Sequence, residues 1–337
     1  MKLSTLKALL AGGRLRLFFD VQRLLTPTYR LAFLSAAATE GLLARLRGGP
    51  IPAQQLLAEL APDPAVREGL VAWLAVGVRL GELSLDERGY GVRGRLARRL
   101  AEADHDAMAA LVEEAASLHY DMLRDLPARA REARPMTLAD QDGRLIARSS
   151  RVLEPILGEA VDDVVPARGA VRLLEIGCGS GIYIRRAAAR NPQLTALGLE
   201  LQPDVAAAAR ENIRAWGLEA RATLEVGDVR RRAAQPAFDL ATLHNNIYYF
   251  RVAERGSLLR HVRGFLRPGG RLLVTTGCQG GSPMMDLLNL WAASTAGCGP
   301  LPVADELVAQ MKEAGFAEAR AKRLVPGESF FAFVGLT

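Results

Sequence analysis

The sequence predicts an α/β protein: a doubly wound parallel sheet in its C-terminal half, preceded by an N-terminal helical, winged-helix-like domain. Three observations carry this. From Val171 onward the texture is strand, glycine turn and helix, repeated. Before residue 165, apolar periods of helical spacing alternate with short glycine and proline breaks. A chain of 337 residues, 50% hydrophobic, also exceeds one ordinary core and accommodates two domains.

In the front end, residues 31–46 carry an apolar stripe that Gly48, Gly49 and Pro50 stop. Ala53–Leu60 is a second helix, and residues 64–80 a third, opened by Asp63 and Pro64. Residues 82–92 then predict two short strands around a polar turn. Three helices and a hairpin is a winged-helix order. The third helix is apolar on nearly every side around Trp73, whereas a DNA-recognition helix needs exposed polar groups. Burial in a packing or dimerisation module is therefore the favoured reading. Residues 104–165 are again helical and carry His119. The expected boundaries are 1–103, a winged-helix-like dimerisation domain; 104–165, a linker that lines the pocket; and 166–337, the sheet domain.

The 43 basic residues are nearly all arginines dispersed among alanine and leucine against 37 acidic ones, the pattern of solvated helix faces, so no nucleic-acid partner is expected. Cys178, Cys278 and Cys298 form neither an even disulfide framework nor a CxxC pair, and no paired histidines accompany them. A reducing, cytoplasmic location and no metal are the expectation. Lys7, Arg14 and Arg16 interrupt the apolar start, which makes a poor leader, and no window reaches the roughly 18 apolar residues of a membrane span.

The chemistry concentrates in the second half. Strand 171–176 runs into Gly177-Cys178-Gly179-Ser180-Gly181 and then into a helix. Glycines there let the chain turn and approach a ligand closely. A dinucleotide fingerprint would place its third glycine one position later, where Ile182 stands. The next strand ends on Glu200, followed by Leu201, and a strand-end carboxylate can accept both ribose hydroxyls of an adenosine. The third strand, Ala222–Val226, leads to Gly227-Asp228-Val229, whose carboxylate can accept from an adenine amino group. Glu175, Glu200 and Asp228 at three successive strand ends form a specific constellation.

Together with Phe238-Asp239-Leu240 and Leu266-Arg267-Pro268-Gly269-Gly270, this ordered set resembles class I S-adenosylmethionine-dependent methyltransferases. With its front end, the chain resembles the dimeric winged-helix small-molecule O-methyltransferases of secondary metabolism, over roughly residues 30–337. The resemblance implies S-adenosylmethionine as cofactor, with Gly177, Gly179 and Gly181 at its methionine part, Glu200 on the ribose and Asp228 facing adenine. Glu175 would support the glycine loop or the cofactor amino group, and Cys178 would be structural. The fourth strand delivers His244, placed where the family has the histidine of a His-Asp-Trp motif, as a base or as a residue that shapes the pocket. Asp286 is a candidate to orient it. Of Tyr248 and Tyr249, one is expected in the pocket, because neighbours on a helix or strand point apart. Met284, Met285, Leu288 and Trp291 lie where relatives line the acceptor pocket, and suit an apolar or aromatic acceptor, although ordinary packing explains them as well. The expected activity is methylation of a hydroxyl, phenol or enol by a homodimer. Carbon or nitrogen methylation, and a cofactor-binding regulator on DNA, are the alternatives.

Overall fold

A computed structural model describes residues 13–337; the leader reading of residues 1–12 lies outside them. The chain forms two compact units, one up to Asp121 with Gly143–Val152, the other Met122–Asp142 with Leu153–Thr337. The segment 104–165 is thus divided between them.

The first unit holds α1 (Arg14–Thr39), α2 (Leu42–Leu46), α3 (Ala53–Leu60), α4 (Arg67–Arg79), the strands β1 (Leu83–Asp86) and β2 (Gly89–Val92), α5 (Arg95–Leu100), α6 (Asp106–Glu114) and, after the start of α7 (Tyr120–Arg131), α8 (Gly143–Ser149). The helix expected over 31–46 is two: Gly41, at φ 71°, breaks it and opens α2. Asp63 caps the turn before α4 by accepting from the Ala65 amide at 2.9 Å. β1 and β2 pair antiparallel, Leu83 opposite Val92. Phe33, Leu34, Leu42, Leu43, Leu56, Leu74 and Leu83 make the core. Gly77 is required here, since a Cβ would lie 2.2 Å from the Phe33 ring. The all-round apolar α4 buries only Leu74 and Gly77, leaving Val71 and Val76 exposed. The first half of α1 is likewise exposed, with Leu17 at 63% and Leu24 at 70%.

The second unit contains α9 (Glu154–Val164), β3 (Val171–Ile176), α10 (Ile182–Arg190), β4 (Leu194–Glu200), α11 (Pro203–Ala215), β5 (Ala222–Val226), β6 (Phe238–His244), α12 (Val252–Arg263), β7 (Leu266–Gly277), α13 (Pro283–Ser294), α14 (Ala304–Glu313), β8 (Glu318–Arg323) and β9 (Phe330–Leu336). Its seven strands run β5-β4-β3-β6-β7-β9-β8, parallel except for β9, which is antiparallel to both neighbours. Each central strand is apolar on both faces because helices cover both. Leu174, Ile176, Ala241, Leu243 and Val274 meet Leu258, Leu259 and Val262 of α12 and Leu307 and Met311 of α14. Leu173, Ala196, Leu240 and Leu273 meet Val161 of α9, Ile184 and Ala187 of α10, and Ile213 of α11. The winding reverses between β3 and β6, and the crevice at the carboxyl ends of these strands is the ligand position of a doubly wound sheet. No helix among the described residues is long and apolar enough to cross a membrane, and no cluster of three metal-ligating side chains occurs among them.

Candidate active site

The loop after β3 is pinned from below. The Gly177 and Cys178 amides both donate to the Leu199 carbonyl, at 2.8 and 3.0 Å. Gly177 and Gly179 sit at φ 65° and 51°, and a Cβ on Gly177 would lie 2.6 Å from Nδ2 of Asn246. That amide in turn donates to the Ile176 carbonyl, so the end of β6 is clamped onto the loop. Gly181, at φ 77°, opens α10. Cys178 is buried, and a Cβ on Gly198 would come within 2.9 Å of its sulfur. Burial pushes its thiol pKa up, which suits packing and not nucleophilic chemistry.

Glu200 is 8% exposed, and each carboxylate oxygen accepts one backbone amide: Oε2 from Gly179 of the loop at 3.0 Å and Oε1 from Gln202 at 3.1 Å. Gly227 donates to the Glu200 carbonyl at 2.9 Å, joining the ends of β4 and β5. Asp228 caps the turn Val229–Arg231 and is bound by Arg230, whose guanidinium holds its carboxyl below the usual carboxylate range. Val229 is core, whereas Leu201 and Val226 lie exposed beside the two acids.

Glu175 is 1% exposed, and neither of its oxygens has a hydrogen-bond partner among the described residues. The Ile184 amide faces it without reaching hydrogen-bond geometry. Desolvation, reinforced by the Glu200 charge, pushes its pKa up to about 8. The folded protein therefore binds a proton there that the unfolded chain releases near pH 4.5, so stability falls as pH rises through that window and levels off above about 8. Each tenfold difference in proton affinity between the folded and unfolded chain corresponds to about 1.4 kcal/mol. Above about pH 6.5, beyond the range in which buried neutral His244 contributes the opposite slope, urea midpoints of the wild type are expected to fall up to pH 8 while those of Glu175→Gln stay flat; parallel profiles would show that Glu175 ionises normally.

His244 ends β6, buried, with its ring 4.4 Å from that of Tyr183 and Nδ1 sharing a 2.8 Å hydrogen bond with Thr275 Oγ1. The orienting group is thus a hydroxyl two strands from β3, not Asp286, which lies exposed in the first turn of α13. Nε2 has no partner among the described residues, and burial lowers the pKa to about 3. Asn245, at φ 50°, and Asn246 follow, each with a buried side-chain oxygen lacking a partner among the described residues. Sequence reasoning missed Tyr183, Thr275 and the two asparagines; only the Asn-Asn pair after a strand, with its tolerance of left-handed backbone, offered a signal.

Tyr248 and Tyr249 do not divide as expected. They lie on the 3-10 turn Ile247–Tyr249, which sets their rings side by side, stacked at 5.2 Å, and both reach Trp291 of α13, at 6.1 and 5.4 Å. Met285 packs with Leu157, Phe330 and Tyr183, Leu288 is half-buried, and Met284 is exposed. His119 belongs to the first unit, where it faces Glu114 at 3.1 Å.

Residues 174–272 match the family described as "Methyltransferase domain". The chain carries a methyltransferase domain. S-adenosylmethionine is the methyl donor of such a domain, and the loop, Glu200 and Asp228 all fall inside the matched residues. Over 123 residues, 36% of the chain, it is 32% identical to the ubiquinone/menaquinone biosynthesis C-methyltransferase UbiE of Dinoroseobacter shibae, and spans about half (48%) of that relative's length. Among solved structures, the mitomycin 7-O-methyltransferase MmcR superposes with a TM-score of 0.76 at 19% identity, covering 97% of this chain and 99% of the other. Human N-acetylserotonin methyltransferase, solved with S-adenosylmethionine, does so with a TM-score of 0.74 at 16% identity, covering 95% and 97%. These solved structures share the fold of this chain along most of its residues.

Proposed function

We propose that the protein transfers the methyl group of S-adenosylmethionine to an oxygen of a small, apolar or aromatic metabolite. The observation that carries this is the coupling of Glu200 to the glycine loop: one carboxylate sets the Gly179 amide and also stands at the strand end where ribose hydroxyls are accepted. The residues fit the cofactor on three counts. Exposed Leu201 and Val226 offer apolar flanks for a purine beside Asp228. The unmatched oxygens of Glu175 and Asn246 are acceptors suited to an α-ammonium. Positive-φ glycines bring backbone amides close to a bound chain.

Bound S-adenosylmethionine supplies an electrophilic methyl on a sulfonium. The chain's part is to align an acceptor and exclude water. Tyr248, Tyr249 and Trp291 form an aromatic wall suited to a planar acceptor, and Met284, Met285 and Leu288 share α13 with Trp291. His244 is read as a neutral residue that shapes the pocket. A base must carry the proton it removes, and burial without a compensating carboxylate opposes an imidazolium there. His244→Asn is therefore expected to keep turnover within about threefold with an unchanged pH profile. A loss of about 10² or more with loss of the acid limb would assign the base role to His244. The overall reaction is tested by calorimetric titration with S-adenosylmethionine, followed by mass analysis of phenolic and enolic acceptors for a 14 Da gain.

Carbon methylation is the second reading. It is favoured by the C-methyltransferase relative and by the absence of a readily protonated base at the end of β6. A cytoplasmic homodimer is the assembly we infer: the exposed apolar half of α1 and the exposed Val71 and Val76 of α4 suit a second copy, and the winged-helix order of the first unit then serves association instead of DNA.

A further inference from the structure

The carboxylate read above as the adenine acceptor is already held by Arg230. Asp228 Oδ1 accepts from the Arg230 amide and from Arg230 Nε, each at 3.0 Å. Oδ2 accepts from Nε at 3.0 Å and from Nη2 at 2.7 Å. These four contacts come from three N–H groups, Nε being shared between the two oxygens, so Arg230 takes most of the roughly four lone-pair directions that an adenine amino group would use. The same guanidinium has two further neighbours. Its Cζ lies 5.4 Å from the centre of the Phe250 ring, and Nη1 is 3.7 Å from Glu254 in the first turn of α12. Arg230 is half-exposed and so has room to swing, whereas the Asp228 side chain is 14% exposed.

We infer that Arg230 is an internal competitor for the adenine seat: its guanidinium occupies Asp228 in the free protein and swings onto Glu254, across the face of Phe250, when the adenosine of the cofactor binds. This rests on the reading of Asp228 as the adenine acceptor. It assigns Arg230 a role opposite in sign to that of a binding residue. Three features of the geometry favour the swing. The guanidinium is half-exposed, and an ion pair open to solvent on its cationic side contributes little. Glu254 compensates the charge that Asp228 gives up. Phe250 offers its ring face to the guanidinium along the path.

The test is calorimetric titration of the full chain with S-adenosylmethionine and, separately, S-adenosylhomocysteine, in wild type, Arg230→Ala, Glu254→Gln and Asp228→Ala, with thermal melts to verify folding. Arg230→Ala is expected to bind two- to fivefold more tightly than wild type, the range that a half-exposed ion pair contributes. Glu254→Gln, which removes the alternative seat, is expected to bind more weakly by a similar factor. Equal or weaker binding by a folded Arg230→Ala would overturn the proposal. Wild-type affinity in Asp228→Ala would instead remove the adenine reading on which it rests, and absence of binding by the wild type would remove the cofactor site itself.

Discussion

Glu200→Ala is expected to weaken S-adenosylmethionine binding by at least about 100-fold in a calorimetric titration, the largest effect of any single substitution at the site. Two charge-assisted hydrogen bonds, to the Gly179 and Gln202 amides, disappear with the carboxylate. Such bonds contribute about 1.5–3 kcal/mol each. The loop loses its set position and, on the proposed reading of Glu200, the ribose loses its acceptor in the same step. Glu200→Gln retains one acceptor oxygen and should recover part of the loss. Affinity within about fivefold of wild type in the alanine variant would mean that the loop holds its shape without Glu200 and that the ribose is bound elsewhere.

Arg255→Ala carries the second large effect. Arg255 is 2% exposed on α12, a buried cation whose pKa burial lowers. Its Nε donates to the Phe250 carbonyl at 3.2 Å and its Nη2 to the Pro300 carbonyl at 2.5 Å, while the Gly299 amide donates to the Tyr248 carbonyl at 3.0 Å. The side chain therefore ties the aromatic turn 247–250 to the 299–300 loop. Removing it strands two carbonyls and leaves a cavity, a loss of about 3 kcal/mol in the unfolding of the second unit. Arg255→Lys should rescue little, because one ammonium cannot reproduce a two-pronged geometry. An unfolding midpoint unchanged in the alanine variant would show that the turn is held by Ile247 and Tyr248 packing alone.

Much of the second unit was legible because its signals are local. Val171–Ile176 and Ala222–Val226 are short, mostly apolar segments, each leading into a glycine, and the strand–glycine–helix order fixes where a ligand sits. The three acids could be placed at strand ends by counting along the chain. What could not be read were relations between side chains from different strands. Thr275 reaches His244 only because β7 pairs with β6 in one register, and nothing near His244 in sequence announces it. The stacking of Tyr248 on Tyr249 depends on a single 3-10 turn, which sequence periodicity does not distinguish from a strand end or a helix start. Arg230 looks like one of three consecutive surface arginines until its geometry on Asp228 is seen. The break at Gly41 was missed because the apolar stripe continues in phase on either side of it.

The outer strand β8 has a bearing on handling the protein in solution. Among the described residues it has a strand neighbour on one side only, and it reads Glu-Ala-Arg-Ala-Lys-Arg, five of its six residues exposed. An open rim of this kind invites cross-molecular strand pairing and precipitation, and like charges repeated along it oppose the approach of an identical rim. The three cations of β8 therefore act as a guard against aggregation. Concentrated samples should tolerate moderate salt less well than dilute buffer, because screening these charges weakens the repulsion that keeps two rims apart.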